Sequence, residues 1–336
     1  MRAWEIRGDL GIANLAIAEK PEPEPGPGEV VVEVRACSLN YRDLQVVRGQ
    51  YGSNTRLPLV PFSDGAGEVV AVGEGVARFA QGDRVSGIFM QGWISGEITP
   101  AAAATALGGA IDGMLSEKVV LSEEGLVRIP EHLSFEEAST LPCAAVTAWN
   151  GLVEKGGLKA GETVLVQGTG GVSLFALQFA KMFGARAIAT SSSDEKLERA
   201  LTLGASDGIN YKKNPGWDER ALELTGGRGV DHVVEVGGPD TLNGSLSAVR
   251  MGGGIYMIGV LTGISGEVNT ALILRKSVRV QGIYVGSRAM FEAMNRAISL
   301  NELRPVIDRA FSFEEVPDAL RHMESGAHFG KIVVRF

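Results

Sequence analysis

Two cysteines, Cys37 and Cys143, are all that the 336 residues contain. So few thiols exclude a disulfide-stapled scaffold and any zinc lobe built from four thiolates. Basic runs are missing too. The 32 Lys and Arg are scattered and outweighed by 40 Asp and Glu, a formal charge of −8. Phosphate backbones are gripped by clustered cations, so nucleic acid is not an expected partner. No apolar stretch reaches the roughly 18 residues of a membrane helix. The start, Met1-Arg2-Ala3-Trp4-Glu5, has no signal-peptide core. The expectation is a cytoplasmic protein in a reducing compartment, with no membrane partner.

Glycine is what the chain has in excess, 45 of 336 residues, about 13% against a usual ~7%. The glycines keep no three-residue period, which excludes collagen. Spread through apolar runs, they predict tight turns and close backbone approaches. An apolar fraction of 45% with 21% charged residues fits a globular protein, and the length predicts about two domains.

The first third reads as short strands and turns. Alternating Pro and Glu from Pro21 to Pro25, then Gly26-Pro27-Gly28, exclude a helix or a central strand. The Val-rich run at 29–35 predicts a strand, and further β segments are expected at 67–73 and 82–85. Glycine-bounded strands at this spacing predict a β-rich, barrel-like unit. Residues 94–113 read as a loop or a short helix. From residue 163 the pattern becomes alternating. Strands are expected at 163–167, 186–190, 207–210, 231–236, 255–259 and 278–283, with helices at 172–183 and from Ser193. Such alternation implies a parallel sheet covered on both faces. A helix at 289–299 and a strand at 331–336 close the chain.

Gly168-Thr169-Gly170-Gly171-Val172-Ser173 lies between an expected strand and an expected helix, the place of a dinucleotide fingerprint. Glycines allow the tight turn and let backbone N–H groups approach a pyrophosphate at the helix N-terminus. Ser173 stands where the third glycine is usual. An NAD site usually places an acidic residue about 20 positions further on. Here that position is Ser191, in Thr190-Ser191-Ser192-Ser193. These hydroxyls, with Lys196 and Tyr211, suit the 2′-phosphate of NADPH. Ser192 with Asp194 and Glu195 also reads as a capping box, and the two readings are compatible.

The chain resembles the medium-chain dehydrogenase/reductase superfamily over nearly its whole length. The resemblance is carried by Pro-Gly-Pro-Gly-Glu at 25–29, Asn40-Tyr41-Arg42-Asp43, Gly-Ala-Gly-Glu-Val-Val at 65–70, Gly-Asp-Arg-Val at 82–85, the turn at 168–173 and Gly-Lys-Ile-Val at 330–333. It implies an α/β protein in which a doubly wound Rossmann sheet, residues 126–285, is inserted into a GroES-like β-barrel catalytic domain, residues 1–125 and 286–336. It also implies a cleft between the two domains.

Zinc alcohol dehydrogenases of this superfamily place a cysteine where this chain has Asn40 and a His-Glu pair where it has Ser63-Asp64. Only Cys143 matches a ligand position, and His132, His232, His322 and His328 all lie elsewhere. One ligand does not make a catalytic zinc site. The resemblance therefore points to the zinc-free quinone oxidoreductase branch, with no metal site. Hydride transfer to a quinone or an α,β-unsaturated carbonyl needs less Lewis-acid help, because negative charge moves to a distant oxygen. Tyr41 is the candidate donor, with Asn40 and Ser63 positioning nicotinamide ribose or substrate. By the same resemblance Thr147 touches the nicotinamide end and Lys331 reaches the pyrophosphate, while Gly259, Val260 and Ile283 end the two late strands, where backbone groups would hold the carboxamide. Phe89 and Trp93 are candidates for the substrate pocket, while Arg42 and Asp43 read as structural. Alternatives are an NAD(P)-dependent alcohol dehydrogenase and an NADPH-binding protein without catalysis. The edge character of 278–283 predicts a homodimer.

Overall fold

The computed structural model describes residues 1–51 and 56–336. Its first seven strands are Arg2–Ile6 (β1), Leu15–Glu19 (β2), Glu29–Ser38 (β3), Asp64–Val72 (β4), Arg84–Gly87 (β5), Lys118–Ser122 (β6) and Leu126–Arg128 (β7). Then come Thr163–Gln167 (β8), Arg186–Ser191 (β9), Asp207–Asn210 (β10), Val230–Glu235 (β11), Val249–Met257 (β12) and Arg279–Gly282 (β13). Ile307–Ser312 (β14) and Lys331–Arg335 (β15) are the last two. The chain divides into two units, Met1–Val146 with Gly286–Phe336, and Thr147–Val285. The first boundary falls after Val146 and not after residue 125, because β7 completes the first unit's sheet through pairing with β5.

The first unit holds a seven-stranded sheet and the β1–β2 hairpin. β3 is its organising strand. Val30, Val31, Val32 and Val34 are all buried, as expected of β-branched residues on a strand covered on both faces. One edge of β3 pairs with β4 along most of its length, while the other is shared by β6 near its start and β15 near its end. Gly67 permits the β3–β4 approach, since a Cβ there would lie 2.1 Å from the Glu33 carbonyl oxygen. The poorly patterned segment 94–113 contains a helix of four residues, Pro100–Ala103, capped by Thr99. Ahead of the boundary, Leu141–Ala145 forms a π-helical turn.

The second unit is a six-stranded sheet in the order β10-β9-β8-β11-β12-β13, with every strand parallel to its neighbours. Strand order reverses between β8 and β11, which is the switch point where doubly wound sheets bind ligands at their carboxyl ends. Every residue of β8 is buried. β12 begins six residues before the expected 255, at Val249, because Val249 pairs with Val230 ahead of a bulge. Helix Gly171–Met182 ends at Phe183, followed by Gly184 at φ 72°, a left-handed stop suited to glycine. Among the described residues no helix is long and apolar enough to cross a membrane.

Candidate active site

Sheet register brings the first unit's candidates together. Ser38 pairs with Asp64 on β4 and with Val333 on β15, and the Leu39 N–H donates to the Ile332 carbonyl at 3.0 Å. The residues just beyond these pairs, Asn40, Ser63 and Lys331, therefore meet at one point although they are far apart in sequence. Lys331 Nζ donates to the Leu39 carbonyl and to Asn40 Oδ1, both at 2.6 Å. Asn40 Nδ2 donates to Ser63 Oγ at 3.3 Å, and Ser63 Oγ donates to Asp64 Oδ1 at 2.7 Å. Asp64 Oδ2 accepts the Cys143 N–H at 3.1 Å and lies 3.9 Å from Lys331 Nζ. Lys331, Asn40, Ser63 and Asp64 are all buried.

Asn40 also starts helix Tyr41–Val47, where its backbone N–H donates to Asp43 Oδ2 at 2.8 Å. Tyr41 opens that helix and is 44% exposed. Asp43 is fully buried beside Arg42. Burial pushes its carboxyl up, Arg42 pulls it down and Asp64 pushes it up again, leaving it at about 6. Arg42 Nη1 donates to the Leu107 and Gly108 carbonyls and to Asp43, and its guanidinium lies 5.1 Å from the Phe89 ring centroid. Phe89 and Trp93 are core residues, 1% and 5% exposed; their rings are used in packing.

These residues do not fit a catalytic metal. Catalytic zinc takes thiolate, imidazole or carboxylate donors, three of them from the protein. The amide of Asn40 and the hydroxyl of Ser63 are engaged in the chain just described. Burial and the charge of Asp64 push the Cys143 thiol far above its usual range, which keeps it protonated. Asp64 itself faces an ammonium. Among the described residues no group of three or more His, Cys, Asp or Glu is placed to hold a metal.

In the second unit the turn after β8 fits a dinucleotide. Gly168 sits at φ 70°, where a side chain would be strained. A Cβ on Gly170 would meet nothing within 4 Å. Gly170 caps helix Gly171–Met182 without a side-chain hydrogen bond, so the helix's first N–H groups remain for an anion. Val172 follows in the first turn, and Thr169 is buried. Ser173, the unusual residue of the fingerprint, is buried and its hydroxyl donates to the Gln167 carbonyl at 2.6 Å. It ties the helix to the strand that the turn leaves.

At the end of β9, Ser191 Oγ accepts the Ser193 N–H at 3.2 Å, and the Tyr211 N–H donates to the Ser191 carbonyl at 3.1 Å. Ser191, exposed Ser192, exposed Tyr211 and half-buried Lys196 thus share one corner. The cap of the next helix is Ser193 rather than Ser192: Ser193 Oγ accepts the Lys196 N–H, because the helix starts at Asp194, one residue later than a Ser192 cap requires. Asp194, the first residue of that helix, is bound to Asn210 and Lys213. Lys213 had no signal in the sequence beyond its charge.

Sequence reasoning also missed the pair Gln167 and Glu235 at the switch point. Glu235 Oε1 accepts the N–H groups of Gly237 and Gly238 and the Thr241 hydroxyl, and Oε2 accepts Gln167 Nε2 and the Ser245 hydroxyl. Gln167 Oε1 accepts the N–H groups of Val236 and Gly237. A Glu ending a run of apolar strand residues was the only available hint. Of the remaining expected contacts, Thr147 and Ile283 are buried, Val260 is 44% exposed, and Gly259 is held close by Val236, whose carbonyl oxygen lies 2.2 Å from where a Cβ would be.

Known proteins agree with this architecture. The alcohol dehydrogenase GroES-like domain family matches residues 26–131, and the zinc-binding dehydrogenase family matches residues 171–299. A zinc-type alcohol dehydrogenase-like protein of Schizosaccharomyces pombe is 47% identical, covering 91% of this chain and 90% of its own. Quinone oxidoreductase-like protein 2 of Bos taurus is 29% identical, covering 95% and 88%. A solved structure from Sinorhizobium meliloti 1021, provisionally assigned as an alcohol dehydrogenase, superposes with a TM-score of 0.93 at 47% identity over 100% of this chain and 98% of its own. An NAD-dependent alcohol dehydrogenase gives 0.90 at 36% identity over 100% of both chains. A crotonyl-CoA carboxylase/reductase in complex with NADP gives 0.89 at 25% identity over 100% and 94%. The chain belongs to the medium-chain dehydrogenase/reductase superfamily and is an oxidoreductase of that family, with a GroES-like unit and a nicotinamide-type Rossmann unit.

Proposed function

We propose that the protein is an NADPH-dependent reductase of quinones or α,β-unsaturated carbonyl compounds that works without zinc. The observation that carries this reading is the buried chain from Lys331 through Asn40 and Ser63 to Asp64, which commits to hydrogen bonds the positions where zinc relatives hold the metal. The likeness to quinone oxidoreductase-like protein 2 supports the substrate class. Ser191, Ser192, Lys196 and Tyr211 support NADPH, since no carboxylate ends β9 and Asp194, which follows, is paired with Asn210 and Lys213.

NADPH supplies the hydride. The turn at Gly168, Thr169, Gly170, Gly171 and Val172 holds the pyrophosphate on backbone N–H groups. Thr147, Gly259, Val260 and Ile283 line the nicotinamide end. Asn40, held in place by Ser63, orients the substrate carbonyl, whose oxygen would gain negative charge on reduction at the β-carbon. Tyr41 or a water returns the proton. The protein acts on a small molecule, in the cytoplasm, as a homodimer formed through β13. The names of a relative, a zinc-type alcohol dehydrogenase-like protein, and of a solved structure, an NAD-dependent alcohol dehydrogenase, favour a second reading, an NAD(P)-dependent alcohol dehydrogenase. Purified protein assayed with NADPH against quinones, enones and enoyl thioesters, with metal analysis of the same sample, separates them. Oxidation of NADPH by an acceptor in metal-free protein is expected. Stoichiometric zinc with alcohol oxidation as the sole activity overturns the proposal, and binding of NADPH without any turnover favours a non-catalytic role.

A further inference from the structure

The buried chain in the first unit has fixed polarity, because both ends are chemically one-sided. Lys331 Nζ can only donate, so the Asn40 atom 2.6 Å away must be the carbonyl oxygen. An ionised Asp64 can only accept, so Ser63 spends its hydroxyl proton on Asp64 Oδ1 at 2.7 Å. Ser63 Oγ is left as an acceptor, and Asn40 Nδ2 fills it at 3.3 Å. A flipped Asn40 amide would set N–H groups against the ammonium. The amide is therefore locked in one orientation. Its second N–H has no acceptor among the described residues, while Asn40 keeps 8% of its surface exposed.

We propose that Lys331 is a positioning residue that locks the Asn40 amide, and that Asn40 thereby presents its free N–H to the oxygen of the substrate carbonyl. This rests on the reductase reading above. It gives Lys331 a different task from a pyrophosphate contact: its ammonium is 3% exposed at the side chain and satisfied by the Leu39 carbonyl, Asn40 and nearby Asp64. A donor held rigidly by its neighbours costs no reorganisation when charge develops, which is where such groups gain their effect. Stabilisation is then greatest in the transition state, so kcat should respond more than cofactor binding.

The test compares Lys331→Met, Lys331→Arg and the charge-balanced pair Lys331→Met/Asp64→Asn. Lys331→Met should lower kcat roughly ten- to hundredfold, the range of losing part of one oriented donor, with the NADPH dissociation constant within about twofold. Lys331→Arg should recover part of the loss. The double variant removes the unpaired buried carboxylate, so its melting temperature should return toward wild type while kcat stays low. Recovery of kcat along with stability would make the lysine a mere counter-charge and overturn the proposal, as would unchanged kcat in Lys331→Met. A readout free of substrate is the ¹⁵N side-chain amide signal of Asn40, assigned by its loss in Asn40→Ser. Wild type should show two inequivalent, slowly interconverting N–H signals, the one bonded to Ser63 exchanging more slowly than the free one, and the double variant a pair averaged by amide rotation and exchanging alike. An unchanged signal there overturns the locking. If wild type turns over no acceptor, the reductase reading fails, and the amide signal still decides whether Lys331 orders Asn40.

Discussion

Gln167 and Glu235 face each other across the carboxyl ends of neighbouring parallel strands, with Gln167 Nε2 2.7 Å from Glu235 Oε2. Glu235 is fully buried, and the partners that satisfy it are neutral donors. The pair ties the Val236–Gly238 loop to the strand that feeds the Gly168 turn. Replacing Glu235 by Gln should cost about 2–4 kcal/mol, because the new NH₂ group meets donors that want an acceptor. It should also weaken NADPH binding by about tenfold. The exchange Gln167→Glu/Glu235→Gln restores an acceptor to Val236 and Gly237 and a donor between the two residues. Denaturant titration and a fluorescence dissociation constant should both recover in that double variant. No recovery would show that the identity of each residue, rather than their complementarity, holds the loop.

Gly170 separates ligand recognition from folding. Its φ of −79° is open to any residue, and an added Cβ would meet only open space. Gly170→Val should therefore leave the melting temperature within a few degrees of wild type and raise the NADPH dissociation constant tenfold or more. Gly168→Ala should instead cost about 1 kcal/mol, since its φ of 70° is a left-handed position. Calorimetry of the two variants, apo and with cofactor, distinguishes these outcomes.

The proposed preference for NADPH rests on the residues at the end of β9. Lys196→Ala should weaken NADPH at least tenfold and NADH less than twofold, because only NADPH carries the 2′-phosphate. Equal losses for the two cofactors would place the lysine elsewhere in the binding energy.

Two carboxylates give opposite pH signatures. Asp43, pushed up to about 6 mainly by burial, holds its proton more tightly folded than unfolded. Its contribution is full below about pH 4 and is lost as pH rises through 6. Asp231 is also pushed up by burial, but Arg228, Arg250 and the Thr163 N–H overcome this and bring it to about 2. Its contribution is present above pH 4 and is lost as pH falls toward 2. Urea unfolding across pH 3–8 should show wild type losing stability relative to Asp43→Asn between pH 4 and 7. The gap over Asp231→Asn should shrink below pH 4. Parallel curves would contradict both assignments.

β13 ends the second unit's sheet order, and a terminal strand leaves backbone groups open for pairing. Val280 on that strand is 37% exposed and Leu274, just before it, 82%. We expect a dimer by light scattering, converted toward monomer by Val280→Asp. A monomeric wild type would remove β13 as a self-association surface.

The sequence by itself determined the class of each half. Valine-rich strands bounded by glycine, then strands alternating with helices around Gly168–Ser173, are local patterns written in side-chain periodicity and turn chemistry. It also determined that Asn40 and Ser63-Asp64 stand where zinc relatives carry a cysteine and a His-Glu pair, because residue identity needs no coordinates. Tertiary structure alone decided how those residues are bonded. Lys331 and Asn40 are separated by nearly the whole chain, and only the pairing of β3 with both β4 and β15 lays them side by side. The same holds for Gln167 and Glu235, which look like ordinary strand-end residues until β8 and β11 become neighbours. The cap at Ser193 rather than Ser192 was a matter of one residue of helix start, set by local backbone geometry that several serines in a row satisfy equally well on paper. Hydrogen-bond polarity is a property of contacts between distant residues, so the ordering of the candidate site appears only once the sheets are formed.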